Sequence, residues 1–348
     1  MSEQYSPISA PRSTLYLRRG GSIAQLVPGV VLCIVVATAA MGLHQVEPLT
    51  RLSPIILSIL IGILLANASG LPEGVGPGIA LCSKGLLRLA VMLLGCQITL
   101  SELLAFGLPG LLALVGVVAV TLVFTLSLGR AMGMDPGLAA LVAAGTAVCG
   151  ASAIAAANSV TRSREELVAY AIGIVTLFGT LGLFLYPPLK SMIGLSDLQY
   201  GIWAGLSLHE VAQAVAAGFA EGDVAGRAAV TVKLGRVLLL SVVVAGLAQL
   251  WVRSGRNSGG EARVPLMPWF LAGFLVLAGL NSTGVIPAAM REWLAATTPL
   301  MMALAMAGIG LGTRLDRLAA LGLRPLALGA AATAMISALA LGIALLIG

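Results

Sequence analysis

Charged side chains are spaced so unevenly that they cut the chain into segments. Eight stretches contain none, at 24 to 43, 52 to 72, 103 to 129, 136 to 161, 167 to 189, 264 to 290, 293 to 313 and 325 to 348. Each is long enough to cross about 30 Å of hydrocarbon as a helix. Three further apolar runs carry ionisable groups: 85 to 101 with Arg88, 198 to 220 with His209 and Glu210, and 228 to 252 with Lys233 and Arg236. None of these segments shows the alternating ten-residue pattern of an outer-membrane barrel strand. The pattern predicts an all-α polytopic membrane protein of about 11 transmembrane helices, with 1 to 23 as a cytoplasmic segment and 24 to 348 as the membrane domain.

Composition agrees with that division. The chain is 59% hydrophobic and 10% charged, where a soluble domain is about 25% charged. Its 43 glycines suit helices that approach closely. The formal charge of +6 lies in short loops, with no basic run interleaved with aromatics, so it indicates topology and the lipid bilayer rather than a nucleic-acid partner. The two arginines before 24 to 43 give the start a signal-like look, but 20 apolar residues are long for a signal core, so this is expected to be a retained first span.

With the N-terminus cytoplasmic, twelve bases fall inside: Arg12, Arg18, Arg19, Lys84, Arg130, Lys190, Arg253, Arg256, Arg263, Arg314, Arg317 and Arg324. Five fall outside: Arg51, Arg162, Arg164, Arg227 and Arg291. Arg162 and Arg164 sit on the wrong side, which leaves room for a re-entrant segment.

The chain also resembles itself. "SPIILSILIGILLANASG" (53 to 70) matches "MPWFLAGFLVLAGLNSTG" (267 to 284) at Pro54/Pro268, Leu57/Leu271, Asn67/Asn281 and Gly70/Gly284, an offset of 214. "LAVMLLGCQITLSELLAFGL" (89 to 108) matches "LAMAGIGLGTRLDRLAALGL" (304 to 323) at Leu89/Leu304, Gly95/Gly310, Leu100/Leu315 and Gly107/Gly322, an offset of 215. The repeat-like halves, about 50 to 130 and 264 to 348, flank a central motif region at 136 to 252. Counted in spans the shift is seven, an odd number, so the copies would be antiparallel. Inverted repeats are a hallmark of secondary transporters, whose sites lie near the midplane where helices break.

Deep ionisable groups persist mainly where they line a cavity or pair with each other. In "GLSLHEVAQAVAAG" (205 to 218) His209 and Gln213 are i and i+4, and Glu210 and Gln213 are i and i+3, so an imidazole, an acid and an amide are neighbours. His209 and Glu210 are the candidate coupling groups; the alternative is a polar pair that fixes packing. Lys233 and Arg236 share a helical face and are candidate anion ligands, or else snorkel to headgroups. Arg88 is a further candidate, or lines the entrance of its span with Lys84. "GTAVCGASAIAAA" (145 to 157) offers Thr146, Cys149, Gly150 and Ser152 at a glycine-rich break. Such a break would leave a half-helix N-terminus open to an anion; the alternative is a small-residue packing face. Cys33, Cys82, Cys96 and Cys149 lack CxxC or metal spacing and are expected to be packed thiols, with no metal and no cofactor.

With "LLRLAVMLLGCQITLSEL", "GTAVCGASAIAAA", "SLHEVAQAVAAG" and "KLGRVLLL" in this order, the sequence resembles the YeiH-type family of bacterial membrane proteins, labelled sulfate exporters, over roughly 25 to 348. The resemblance implies kinship with the cation/proton antiporter, bile-acid symporter and anion-transporter superfamily, with inverted repeats, discontinuous helices and a homodimeric, elevator-like arrangement. It implies a binding role for Gly150, Ser152, His209, Glu210 and Gln213. One feature fits poorly: as symmetry mates, 145 to 157 and 205 to 218 should lie one repeat apart, yet they are two spans apart. Either the repeats are permuted, one segment is re-entrant, or only one breaks.

The expectation is a secondary active transporter, not an enzyme, that exports or exchanges a small anion such as sulfate, another sulfur oxyanion or an organosulfonate. The deep bases and the Gly150 break would hold the anion, and His209 and Glu210 would couple its movement to protons. An anion channel, or an intramembrane enzyme using His209 and Glu210, is the alternative.

Overall fold

The structure, a computed structural model, describes residues 23–47, 49, 52–68, 70–101, 107–254, 268–314 and 322–347. Apart from Ile23, the N-terminal segment lies outside these residues, as do Arg51, Arg256, Arg263, Arg317 and Leu315. The described chain forms fourteen helical segments and no strands. These are α1 (Ile23–Leu43), α2 (Pro54–Ala68), α3 (Gly76–Gln97), α4 (Gly107–Ala131), α5 (Pro136–Ala147), α6 (Ala151–Thr161) and α7 (Glu165–Ile193). They continue as α8 (Asp197–Ser207), α9 (Val211–Ala220), α10 (Asp223–Leu238), α11 (Leu240–Arg253), α12 (Trp269–Ser282), α13 (Ala288–Gly312) and α14 (Leu323–Ile347). Seven runs, among them α10 and α11 taken together, are long and apolar enough to cross a membrane, and α2, α5, α9 and α12 are shorter apolar helices.

All the apolar segments are helical, but two of them double back. Asp135 caps α5 by accepting from the Gly137 and Leu138 amides at 2.8 and 3.0 Å, and Pro136 opens the helix where its missing donor costs nothing. The helix then stops at Val148 to Gly150, and α6 returns to its starting level: a Cβ on Gly137 would lie 3.4 Å from Ser163 Cβ. Residues 136 to 161 are therefore a re-entrant hairpin, hairpin 1. Its base carries Arg130, Arg162 and Arg164 at one end of the molecule, which removes the conflict in the charge count.

Residues 197 to 220 do the same from the opposite end, as hairpin 2. Lys190 Nζ bridges Asp197 at 2.6 Å and Glu221 at 2.8 Å, so the two ends of the segment meet. Arms α8 and α9 both lie on α10, in opposite directions. A Cβ on Gly205 would stand 2.9 Å from Val232 Cβ, and one on Gly218 only 2.8 Å from Ala229 Cβ. Between the hairpins runs α7, whose 29 residues span about 43 Å.

The outer helices pack reciprocally. Asn67 Nδ2 donates to Thr313 O at 2.9 Å, and Asn281 Nδ2 to Ile98 O at 3.2 Å. A Cβ on Gly310 would sit 3.1 Å from the Ile59 carbonyl carbon, and one on Gly95 would sit 3.1 Å from that of Phe274. The asparagine pair maps onto its counterpart under the sequence offsets of 214 and 215, and the glycine pair does so to within one residue, as a two-fold axis in the membrane plane requires. The π-helical turn Leu81–Leu86 of α3 and Pro299 of α13 also fall at matching places.

Hairpin 1 leans on α4, where Gly129 meets Ala139, and hairpin 2 leans on α14, where Trp203 Nε1 donates to Ser337 O at 3.0 Å. The spatial order α2, α3, α4, hairpin 1, α7 is thus matched by α12, α13, α14, hairpin 2, α10–α11. In the chain the last two precede the other three. Of the alternatives for the odd spacing, permutation and re-entrance both apply, and to both segments.

Candidate functional site at the hairpin tips

The tips meet in the middle of the fold. Gly150, at φ 69° and ψ −129°, sits against Glu210, whose Cγ would be 2.6 Å from a Cβ there. That backbone conformation is open to glycine and strained for other residues. Gly150→Ala is expected to cost about 1–3 kcal/mol in thermal unfolding; a wild-type melt would show that the tip is free to shift.

Two first arms, α5 and α8, end at the tips and direct their last carbonyls inward, where helix C-termini carry partial negative charge. Arg236 answers both. Its Nε donates to Ala147 O at 3.1 Å, Nη2 to Thr146 O at 2.6 Å, and Nη1 to Gly205, Leu206 and Leu208 carbonyls at 3.3, 2.6 and 3.1 Å. Lys233 Nζ donates to Leu208 O and, at 2.7 Å, to His209 O. Both side chains are 0% exposed. Lys233 and Arg236, expected to hold substrate or to snorkel, are instead found fully buried with their hydrogen bonds directed to backbone carbonyls, in the position of internal caps. Thr146 takes part through its carbonyl, and Cys149 is a buried free thiol behind the tip.

His209 and Glu210, adjacent in sequence, face different ways. His209 is buried, and its Nε2 meets Thr333 Oγ1 of α14 at 2.8 Å. That hydroxyl donates to Gly329 O at 2.7 Å, so its lone pair accepts from an Nε2–H, and the ring ties hairpin 2 to α14. Glu210 is the half-exposed member. It forms a capping box at the start of α9, in which its carboxylate accepts from the Gln213 amide and Gln213 Oε1 accepts from the Glu210 amide at 2.9 Å. Thr176 Oγ1 of α7 donates to Glu210 Oε1 at 3.0 Å, and Gln213 Nε2 reaches Thr176 O at 3.4 Å.

The α6 N-terminus has no such side-chain cap, and Ser152 in its first turn is exposed. Opposite stands α3. Lys84, which was expected at a membrane boundary, is the ninth residue of that helix, about 12 Å in, and Arg88 is about 18 Å in. Both are exposed and make no hydrogen bond or ion pair among the described residues, while Lys84 lies within charge–charge range of Glu210. Lys84 is on the π-turn, a distortion frequent at functional sites. Sequence reasoning missed Lys84, Thr176 and Thr333. Only Lys84 carried a signal: drawing its span from Gly76 would have placed it deep. A cavity of about 210 Å³ between Arg130, Pro136 and Trp251 lies at the base of hairpin 1 and includes none of the tip residues.

The chain matches the model of the family described as conserved hypothetical protein 698 over residues 28–329. It is 39% identical over 326 residues to a UPF0324 membrane protein of Corynebacterium glutamicum, covering 93% of each chain. A UPF0324 membrane protein of Wolinella succinogenes is 37% identical, covering 89% of this chain and 94% of the relative. One of Agrobacterium fabrum is 35% identical, covering 93% and 94%. No solved structure matches the chain. Sharing its family model and nearly its whole length with these relatives, the chain belongs to the conserved hypothetical protein 698 family of UPF0324 membrane proteins.

Proposed function

We propose that the protein is a secondary active transporter that exports or exchanges a small anion, sulfate or a related sulfur oxyanion or organosulfonate, across the bacterial inner membrane. The observation that carries this is Lys84, exposed deep in α3 within charge–charge range of Glu210 at the hairpin tips, with Arg88 exposed one turn further along the same helix; neither makes a hydrogen bond or salt bridge among the described residues. Cations at that depth cost several kcal/mol unless water and a counter-ion reach them. A transported anion is such a counter-ion. The α6 N-terminus, which has no side-chain cap, and the exposed Ser152 hydroxyl supply further donors at the tip of hairpin 1.

The α9 N-terminus already holds a carboxylate, that of Glu210, next to Gly150. An arriving anion is repelled by that carboxylate and admitted when it is protonated, which couples anion movement to a proton. Hairpins from opposite sides, each backed by a matched set of helices, suit alternating access. With both hairpins re-entrant, N-in orientation puts twelve bases inside: Arg12, Arg18, Arg19, Arg130, Arg162, Arg164, Arg253, Arg256, Arg263, Arg314, Arg317 and Arg324. Four are left outside, namely Arg51, Lys190, Arg227 and Arg291, which favours a cytoplasmic N-terminus.

The test is flux into proteoliposomes with sulfate, sulfite, sulfonates and dicarboxylates, with and without a pH gradient. Saturable, counter-transported uptake of a sulfur oxyanion is expected, and unsaturable flux without counter-transport would indicate a channel. Lys84→Gln and Arg88→Gln should each raise KM about tenfold, about 1.4 kcal/mol, with unchanged thermal stability. An unchanged KM in both variants would remove α3 from the site.

A further inference from the structure

Independently of what the protein carries, the hairpin tips have the chemistry of a cation site. The carbonyls of Thr146, Ala147, Gly205, Leu206, Leu208 and His209 converge in a dry interior from the C-terminal ends of two half-helices. Unwound carbonyls and half-helix C-termini are the groups with which membrane carriers coordinate a free monovalent cation. Here Lys233 and Arg236, both on α10, occupy that position, and neither has a carboxylate partner within salt-bridge distance among the described residues.

We infer that the Lys233 ammonium is a tethered counter-cation, which holds the tip of hairpin 2 through the Leu208 and His209 carbonyls in place of a free monovalent cation. The wild-type protein then needs no sodium to order its tips. Truncating Lys233 uncovers a site that takes a free monovalent cation or a small alkylammonium. Arg236 does not fill that space, because its recorded hydrogen bonds engage other carbonyls and it shares only Leu208 O with Lys233.

The experiment follows thermal unfolding of the purified full-length protein in detergent, at constant ionic strength, in choline, sodium, lithium, potassium or ethylammonium chloride. Wild type is expected to melt at one temperature in all five. Lys233→Ala is expected to melt lower in choline and to recover saturably in sodium or ethylammonium; recovery of folded yield only in those salts has the same meaning. Lys233→Met, which fills the space without charge, is expected to be destabilised and not rescued. A saturable sodium stabilisation of wild type, a Lys233→Met protein as stable as wild type, or a Lys233→Ala protein indifferent to the cation or unfolded in every salt would each overturn the inference. Because no transport is measured, failure here leaves the anion proposal untouched.

Discussion

Arg236→Leu is expected to unfold the hairpin tips, lowering stability by about 3–5 kcal/mol, the usual cost of removing one partner from a buried charged contact. The guanidinium joins the end of α5 to the end of α8, two elements about 60 residues apart in sequence and inserted from opposite sides. Leucine fills much of the volume and leaves the carbonyls of Thr146, Ala147, Gly205 and Leu206 unpaired in a dry interior, each a desolvated acceptor. Arg236→Lys should fall between the two, since a single ammonium keeps the charge but cannot fork to both tips. Thermal unfolding in detergent decides this, and an Arg236→Leu protein melting with wild type would show that the tips are held by packing alone.

Glu210→Gln is the second large effect, and it is on flux rather than stability. The amide can still accept from Thr176 and at the start of α9, so the capping geometry survives. The titratable group does not. Flux driven by a pH gradient should fall about 100-fold, while exchange of anion for anion persists and loses its pH dependence. His209→Asn should behave differently: it loosens the tie to Thr333 and lowers stability, leaving the pH dependence of the remaining flux as in wild type. A Glu210→Gln protein that retains gradient-driven flux and its pH dependence would move the coupling proton elsewhere.

The contrast between these adjacent residues shows how far the sequence reaches. "LHEVAQ" announced a polar cluster at membrane depth, and the capping relation of Glu210 to Gln213 follows from a spacing of three. Which of the two residues stays partly exposed did not, because that depends on His209 turning to Thr333 of α14 while Glu210 turns to Thr176 of α7, both far away in the chain. Lys233 and Arg236 were legible as deep cations, but their partners are main-chain carbonyls, which every residue possesses and no sequence pattern marks. Lys84 was hidden by a boundary: with its span begun at 85 it looked like a headgroup anchor, and the π-turn that holds it is a backbone distortion without a residue signature.

By itself the sequence determined the solvent of this protein, the places of its helices and the relation between its halves. Those follow from transfer free energies, local hydrogen bonding and internal likeness, all of which act on short stretches or simple comparisons. Only the tertiary structure decided that 136 to 161 and 197 to 220 turn back rather than cross. An apolar run of 24 to 26 residues can make one span or two half-depth arms, and the choice rests on whether something elsewhere in the chain can satisfy the carbonyls exposed at the bend. In this protein that something is Arg236 and Lys233, far along the chain from the first of the bends they complete.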